Sequence, residues 1–401
     1  MIPRFAVEFY PIETLVKFLF QNKLVEKFEN EFSKKIEVHK SSAFPYGRVA
    51  LLAAIEALEL KNQEIIVPAY TCSVVAHAVS LSGNKVVFCD VEEETFNIDL
   101  EELRGKITTK TGAIIVTNNF GQSVNQDKLK HLLDQYNSQV NRKIYLIQDC
   151  AYSFDAQWQG KNISQFGDVS IFGLNISKSV SSIFGGMLST NDKEIFDSIT
   201  MWKEKNLKKA GLRKNLRRMI YISSAKIAFT KPLFSITYFI KKKTNLLNHL
   251  ENAYHRDGKI RFPPDAGTVI SKFECAVGIA NLKHYHRNKK LRQDISRKYQ
   301  RLILSIEEWK PIAFDDGANP SHFPVQVSDK RAVISYFEGF GIEIGEVIDY
   351  SIPEIEPYVQ DQIDEYLIAR KLSSSIVNLP LNLKAYNKIE KLISSNKNNF
   401  L

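Results

Sequence analysis

The feature that most constrains this chain is a pair of short apolar runs that each lead to a charged residue. Ile144–Ile147 runs on to Asp149, and Val169–Leu174 turns and presents Lys178. Uninterrupted apolar runs of this length, bounded by polar residues, read as strands buried on both faces. A glycine pair, Gly185 and Gly186, opens a third short strand. An aspartate at one strand end and a lysine just past the next can be brought to opposite sides of one cofactor ring. Pyridoxal phosphate needs that arrangement: a lysine amine condenses with its aldehyde, and a carboxylate keeps the pyridine nitrogen protonated. Spacing alone leaves a second reading open, in which both residues are merely solvated strand ends.

The rest of the first half supplies a frame. Strands are expected at Glu64–Pro68, Lys85–Val91 and Gly112–Asn118, with helices at Thr71–Leu81, Glu101–Lys106 and Gln126–Gln135. Such alternation implies right-handed crossovers and a mostly parallel sheet, with ligands at the C-terminal strand ends. Asn118, Asp149 and Lys178 all fall at or just past such ends. Upstream, Ile12 to Phe32 reads as a helical arm within residues 1–40. Ser41 to Arg48 reads as a small-residue turn opening a helix over Val49–Leu60. A helix start after a glycine is a ready anion site, because its first amides have no internal partner. Most such helix starts bind nothing. Arg48 adds a fork of donors for a phosphate; the lesser alternative is a surface arginine.

Composition excludes several classes. With 401 residues, 44% apolar and 25% charged, the chain reads as an ordinary globular protein with room for one large and one small domain. Its four cysteines (Cys72, Cys89, Cys150, Cys275) lie far apart, which is neither a disulfide framework nor a zinc site. His284 and His286, two apart on a helix, point to different faces, so no metal is expected. No secretory signal is visible, and the cytoplasm is the expected compartment.

Taken in order, the motifs resemble the DegT/DnrJ/EryC1/StrS family of pyridoxal-phosphate-dependent sugar aminotransferases. The matching pieces are Tyr46-Gly47-Arg48-Val49-Ala50-Leu51, Val67-Pro68-Ala69-Tyr70-Thr71, Asp90 through Asp99, Phe120-Gly121-Gln122 and Gln148-Asp149-Cys150-Ala151. Ser177-Lys178, Gly185-Gly186, Thr190-Asn191-Asp192, Ala276 to Leu282, Gly339 to Gly345 and Leu379-Pro380-Leu381 continue the series. The resemblance implies an α/β fold, PLP-dependent transferase fold type I. Its large domain (1–262) would carry a mostly parallel seven-stranded sheet, with a small C-terminal α/β domain (263–401) after it. It makes Lys178 the catalytic lysine and Asp149 the partner of the ring nitrogen, with Gly47 and Arg48 at the phosphate. Asn118 and Tyr70 are the expected substrate contacts. It also implies a homodimer, an amino-acid donor (glutamate is the family's usual one) and a nucleotide-linked keto-sugar acceptor for surface polysaccharide or a secondary metabolite. A basic insertion further along the chain raises the variant of a lipid-linked acceptor.

Several positions depart from the family pattern. Its serine five residues before the lysine is Gly173, for which Asn175 or Ser177 could substitute. Its glutamine three residues after the aspartate is Tyr152, able to stack or bond to the ring hydroxyl. Its ring-covering aromatic is Cys72, its frequent histidine is Asn118, and its asparagine and arginine that reach the neighbouring site fall at Gly267 and Val269. An altered first shell also admits a rival: a non-enzymatic protein that keeps the fold and recruits membranes or partners through its insertion. Retention of both Lys178 and Asp149 argues against it.

The insertion, at about 203–250, is roughly 40 residues longer than the family requires. From Lys203 to Lys243 thirteen basic residues face a single acid, Glu204, a net +12 in a chain whose total is +9. Two amphipathic helices broken at Pro232 between basic flanks would suit an anionic membrane surface. The same pattern suits a helical lid or a dimer-interface hairpin. Nucleic acid is the least suited partner, since no base-reading module accompanies the charge.

In the small domain a long helix is expected from Lys272 to Ser305, strands at His322–Val327 and Gly341–Ile344, and a last helix through Ile389–Ser394.

Overall fold

A computed structural model describes residues 1–140, 142–230, 233–243, 260–359 and 365–395. The predicted break at Pro232 and the end of the insertion lie outside them.

The arm forms two helices, α1 (Pro11–Phe20) and α2 (Leu24–Lys35), rather than one. The chain turns at Lys23, whose φ of 52° ends helical continuity. Strands β1 (Lys40–Phe44), β2 (Glu64–Pro68), β3 (Lys85–Cys89), β4 (Thr111–Thr117) and β5 (Tyr145–Asp149) follow. A small hairpin, β6 (Gln157–Trp158) and β7 (Lys161–Asn162), precedes β8 (Val169–Gly173) and β9 (Gly186–Thr190). Helices α3 (Gly47–Ala57), α4 (Ser73–Leu81), α5 (Leu100–Lys106) and α6 (Gln126–Val140) connect the first of these strands.

The large sheet has seven strands in the order β1-β9-β8-β5-β4-β2-β3. Four of its six pairings are parallel, and β9 runs antiparallel to both neighbours. Every residue of β4 is buried, as a central parallel strand demands. One face packs on Leu103, Leu129 and Leu132 of α5 and α6, the other on α3 and α4 through Leu51, Ile55 and Val79.

The segment expected as a turn from Ser41 is in fact mostly strand. β1 forms because its buried serines pair across the sheet: Ser41 Oγ lies 2.8 Å from both Ser33 Oγ and Ser189 Oγ. Polar residues satisfied by a distant strand leave no hydrophobic alternation to read.

After β9 come α7 (Lys193–Asn206), α8 (Leu212–Ala228), α9 (Leu233–Lys243) and the long α10 (Lys272–Ile303). Helix α10 starts with a reciprocal capping box between Ser271 and Glu274. It spans two cores: Cys275, Ala276 and Ile279 pack with α2, and Ile295, Tyr299 and Ile303 enter the small domain.

The small sheet is β10 (Lys310–Pro311), β11 (Phe323–Gln326) and β12 (Ile376–Leu379), all antiparallel. The strand expected at Gly341–Ile344 is absent from it. Ile342 instead makes a single parallel bridge with Ile2, and the third strand is β12. Helices α11 (Lys330–Gly339), α12 (Leu367–Ser375) and α13 (Leu383–Ser395) complete the domain.

Candidate active site

The C-terminal ends of β5 and β8 bring the two sequence-derived charges together. Asp149 ends β5 with 3% of its surface exposed, and Ala151 N donates to its Oδ1 at 2.9 Å. Burial pushes its carboxyl up to about 6, against the pull of that amide and of the Lys178 charge. Lys178 follows β8 on a turn closed by its own amide, which donates to Asn175 O at 3.0 Å. Burial pushes its amine down to about 8, opposed by Cys72 and Asp149. Its Nζ lies 3.2 Å from the centroid of the Tyr152 ring. An amine that loses its proton this readily is a nucleophile near neutral pH.

Tyr152 is itself boxed in. Phe120 lies 6.1 Å from it at 34°, and His322 lies 5.4 Å away, edge-on at 76°. Burial, with the charges of Lys178, Arg4 and Arg292, pushes His322 down to about 3, so its ring is neutral. Sequence reasoning placed His322 only at a strand start. Its approach to Tyr152 joins segments far apart in the chain, which no local pattern encodes.

The anion cradle forms where α3 meets β8 and β9. Tyr46 O accepts from both Val49 N and Ala50 N, which leaves the Gly47 and Arg48 amides outside the helical ladder. A Cβ on Gly186 would fall 2.5 Å from Gly47 N, and one on Gly47 would fall 3.1 Å from Gly173 Cα. The first turn of α3 thus rests on bare backbone. At Gly173 the demand is weaker: a Cβ there would meet Ala151 Cβ at 3.5 Å and Lys178 Cε at 3.6 Å, ordinary contacts. Asn175 Oδ1 accepts from Ser177 N at 3.0 Å and from Ser177 Oγ at 2.7 Å, so these two residues first of all shape the lysine turn. Beside them Ser179 Oγ is buried without a partner among the described residues.

The other expected contacts are placed differently. Asn118 is fully buried, donating to Gln148 Oε1 at 2.8 Å and accepting from Val124 N at 3.1 Å. Tyr70 is fully buried and donates to Ile348 O at 3.2 Å. Both work as framework here. Cys72 directly precedes α4, within electrostatic reach of the lysine, and burial pushes its thiol up.

One neighbour of the cradle comes from the insertion. Tyr46 OH donates to Asp265 Oδ1 at 2.6 Å, and Arg218 of α8 reaches Tyr46 OH at 3.1 Å and Asp265 Oδ2 at 2.5 Å. Arg218 Nε also donates to the fully buried Glu274 at 2.9 Å. Lys214 donates to Thr268 Oγ1 at 2.8 Å and Val269 O at 3.0 Å, over the segment that departs from the family pattern.

The donor set fits pyridoxal phosphate. It offers a buried low-pKa amine, a buried carboxylate within its electrostatic reach, a helix start with two amides outside the ladder, and an orphaned hydroxyl beside the lysine. Among the described residues no group of His, Cys, Asp and Glu side chains could hold a metal ion.

Comparison with known proteins agrees. The model of the DegT/DnrJ/EryC1/StrS aminotransferase family matches residues 15–391. GDP-perosamine synthase of Escherichia coli O157:H7 is 31% identical over 184 residues, 46% of this chain and 49% of that protein. The match therefore spans about half the length of that relative. Spore coat polysaccharide biosynthesis protein SpsC of Bacillus subtilis is 24% identical over 349 residues, covering 84% of this chain and 78% of that one. The sugar aminotransferase CalS13 from Micromonospora echinospora superposes with a TM-score of 0.76 at 16% identity, over 99% of this chain and 100% of the other, which shows the shared fold.

Proposed function

The chain belongs to the DegT/DnrJ/EryC1/StrS aminotransferase family, and from that premise we propose that it moves an amino group from an amino acid, glutamate first, to a nucleotide-linked keto-sugar. The observation that carries the reading is the buried Lys178–Asp149 pair. Pyridoxal phosphate, when bound, supplies a ring that accepts electrons from a substrate carbon losing a proton. Lys178, whose amine burial pushes down to about 8, would hold the group and, once its nitrogen is released by the incoming amine, would be the base that moves the proton. Asp149 would face the ring nitrogen and favour its protonated form. The Gly47 and Arg48 amides would hold the phosphate. The Tyr152 ring under Nζ and the neutral His322 edge against it keep water from the amine.

GDP-perosamine and spore coat polysaccharide, in the names of the two relatives, support a sugar acceptor bound for a surface polysaccharide. The proposed assembly is a homodimer. The proposed compartment is the cytoplasm, with the insertion holding the enzyme at the inner face of the membrane.

The test is the visible spectrum of the purified protein, before and after glutamate, beside Lys178→Ala. The expected result is a cofactor band in the wild type alone that glutamate bleaches. A protein that shows no band even after soaking in pyridoxal phosphate would overturn the reading in favour of a non-enzymatic role.

A further inference from the structure

Helix α8 has two unlike faces. Lys214, Arg218 and Ile222 are buried against the body of the protein, four residues apart. On the other side Leu212 is 86% exposed, Leu216 52%, Ile220 57% and Ile227 57%, an apolar stripe along the whole helix. Packed against α8, α9 exposes Leu233, Ile236, Phe239 and Ile240. Isolated surface leucines need no explanation, but eight on two adjoining helices mark a contact face.

The charges say what covers it. Of the basic residues in this region, Lys203, Lys214, Arg218 and Lys242 are spent on Glu29, Asp265, Glu274 and Glu338. Lys205, Lys208, Lys209, Arg213 and Arg217 are exposed and carry no ion pair among the described residues. Arg213 and Arg217 each directly follow a stripe residue, Leu212 and Leu216. A second copy docking this face on itself would set these cations against one another. Among the described residues no helix is long and apolar enough to cross a membrane. An apolar stripe bordered by unpaired cations suits the interface of an anionic bilayer, with side chains in the acyl boundary and guanidinium groups at the phosphates.

We infer that the outward face of α8 and α9 is a docking surface for anionic lipid membrane, an inference that rests on the peripheral placement proposed above. Because the inward face of the same helix grips Tyr46, next to Gly47, docking fixes the orientation of the catalytic cradle relative to the bilayer.

The experiment is flotation of the full-length protein with vesicles of phosphatidylcholine, alone or with about a third phosphatidylglycerol. Wild type is expected to float with the anionic vesicles only. Arg213→Glu with Arg217→Glu, and separately Leu216→Ser with Ile220→Ser, are each expected to weaken binding ~10-fold or more. Circular dichroism and the cofactor band of each variant confirm that it is folded. Wild type binding neither vesicle overturns both the placement and the surface. Wild type and variants binding anionic vesicles alike overturns the surface and leaves the placement standing. A sedimentation change in the serine variant with vesicle binding intact overturns the inference in favour of a subunit interface. Each outcome is independent of the glutamate test.

Discussion

Lys178 and Arg218, the central cations of two neighbouring buried clusters, shift in opposite directions. Around Lys178 and Asp149, burial dominates and neighbours compensate little, so the amine falls to about 8 and the carboxyl rises to about 6. Around Arg218, burial opposes the charge too, but Glu274, Tyr46 and Asp265 together hold the guanidinium above its ordinary value. Compensated burial makes a fixed joint, and uncompensated burial leaves groups poised to exchange protons. The difference lies in the number of partners, since both clusters are deeply packed.

The largest test of that contrast is Lys178→Ala, expected to lower transamination ~10³-fold or more while leaving the fold intact. Rates with glutamate and a keto-sugar acceptor, alongside circular dichroism, would check it. Next is Arg218→Met, which strands Glu274 and should cost about 3–5 kcal/mol in denaturant unfolding. Adding Glu274→Met should recover most of that loss, and failure to recover would show that the joint is more than a compensated pair.

The site should respond in the reverse sense. In the cofactor-free protein the folded Lys178 titrates near 8 against 10.5 unfolded, so the unfolded chain binds more protons between those values. Stability should therefore rise with pH across that window and be least below it. Lys178→Met should abolish the rise and stabilise the protein at neutral pH by about 3 kcal/mol, read from urea midpoints. The smallest effect is expected from Gly173→Ser. Its Cβ meets only ordinary contacts, so unfolding should be unchanged while the added hydroxyl slows cofactor loss on dialysis roughly twofold to fivefold.

The same contrast explains what the sequence disclosed. Strands β2, β4, β5 and β8 were legible because they bury largely apolar runs, Asp149 because it ends β5, and Lys178 because it lies on the turn just after β8. Strand β1 was not, since two of its four buried positions are serines, Ser41 satisfied by Ser189 and Ser33 and Ser42 by Lys203. The insertion's charge was legible only as a sum. Which lysines and arginines turn inward depends on carboxylates at positions 29, 265, 274 and 338, far away in the chain. Asn118 and Tyr70 occupy positions where the family suggested substrate contacts, yet their side chains are committed to Gln148, Val124 and Ile348. His322 reaches Tyr152 from a segment far away in the chain.

The bridge between Ile2 and Ile342 has a consequence for how the molecule is made. Ile2 N donates to Gly341 O, and Glu343 N donates back to Ile2 O, both within 2.9 Å. Ile2 also fills the small-domain core beside Phe337 and Ile344. During synthesis Ile2 must wait for these two partners until residue 343 has left the ribosome. Closing a loop of that span belongs to the slow end of folding. The core around Phe337 and Ile344 should thus be sealed late, and a nascent chain stopped before residue 341 should leave Ile2 open to proteases.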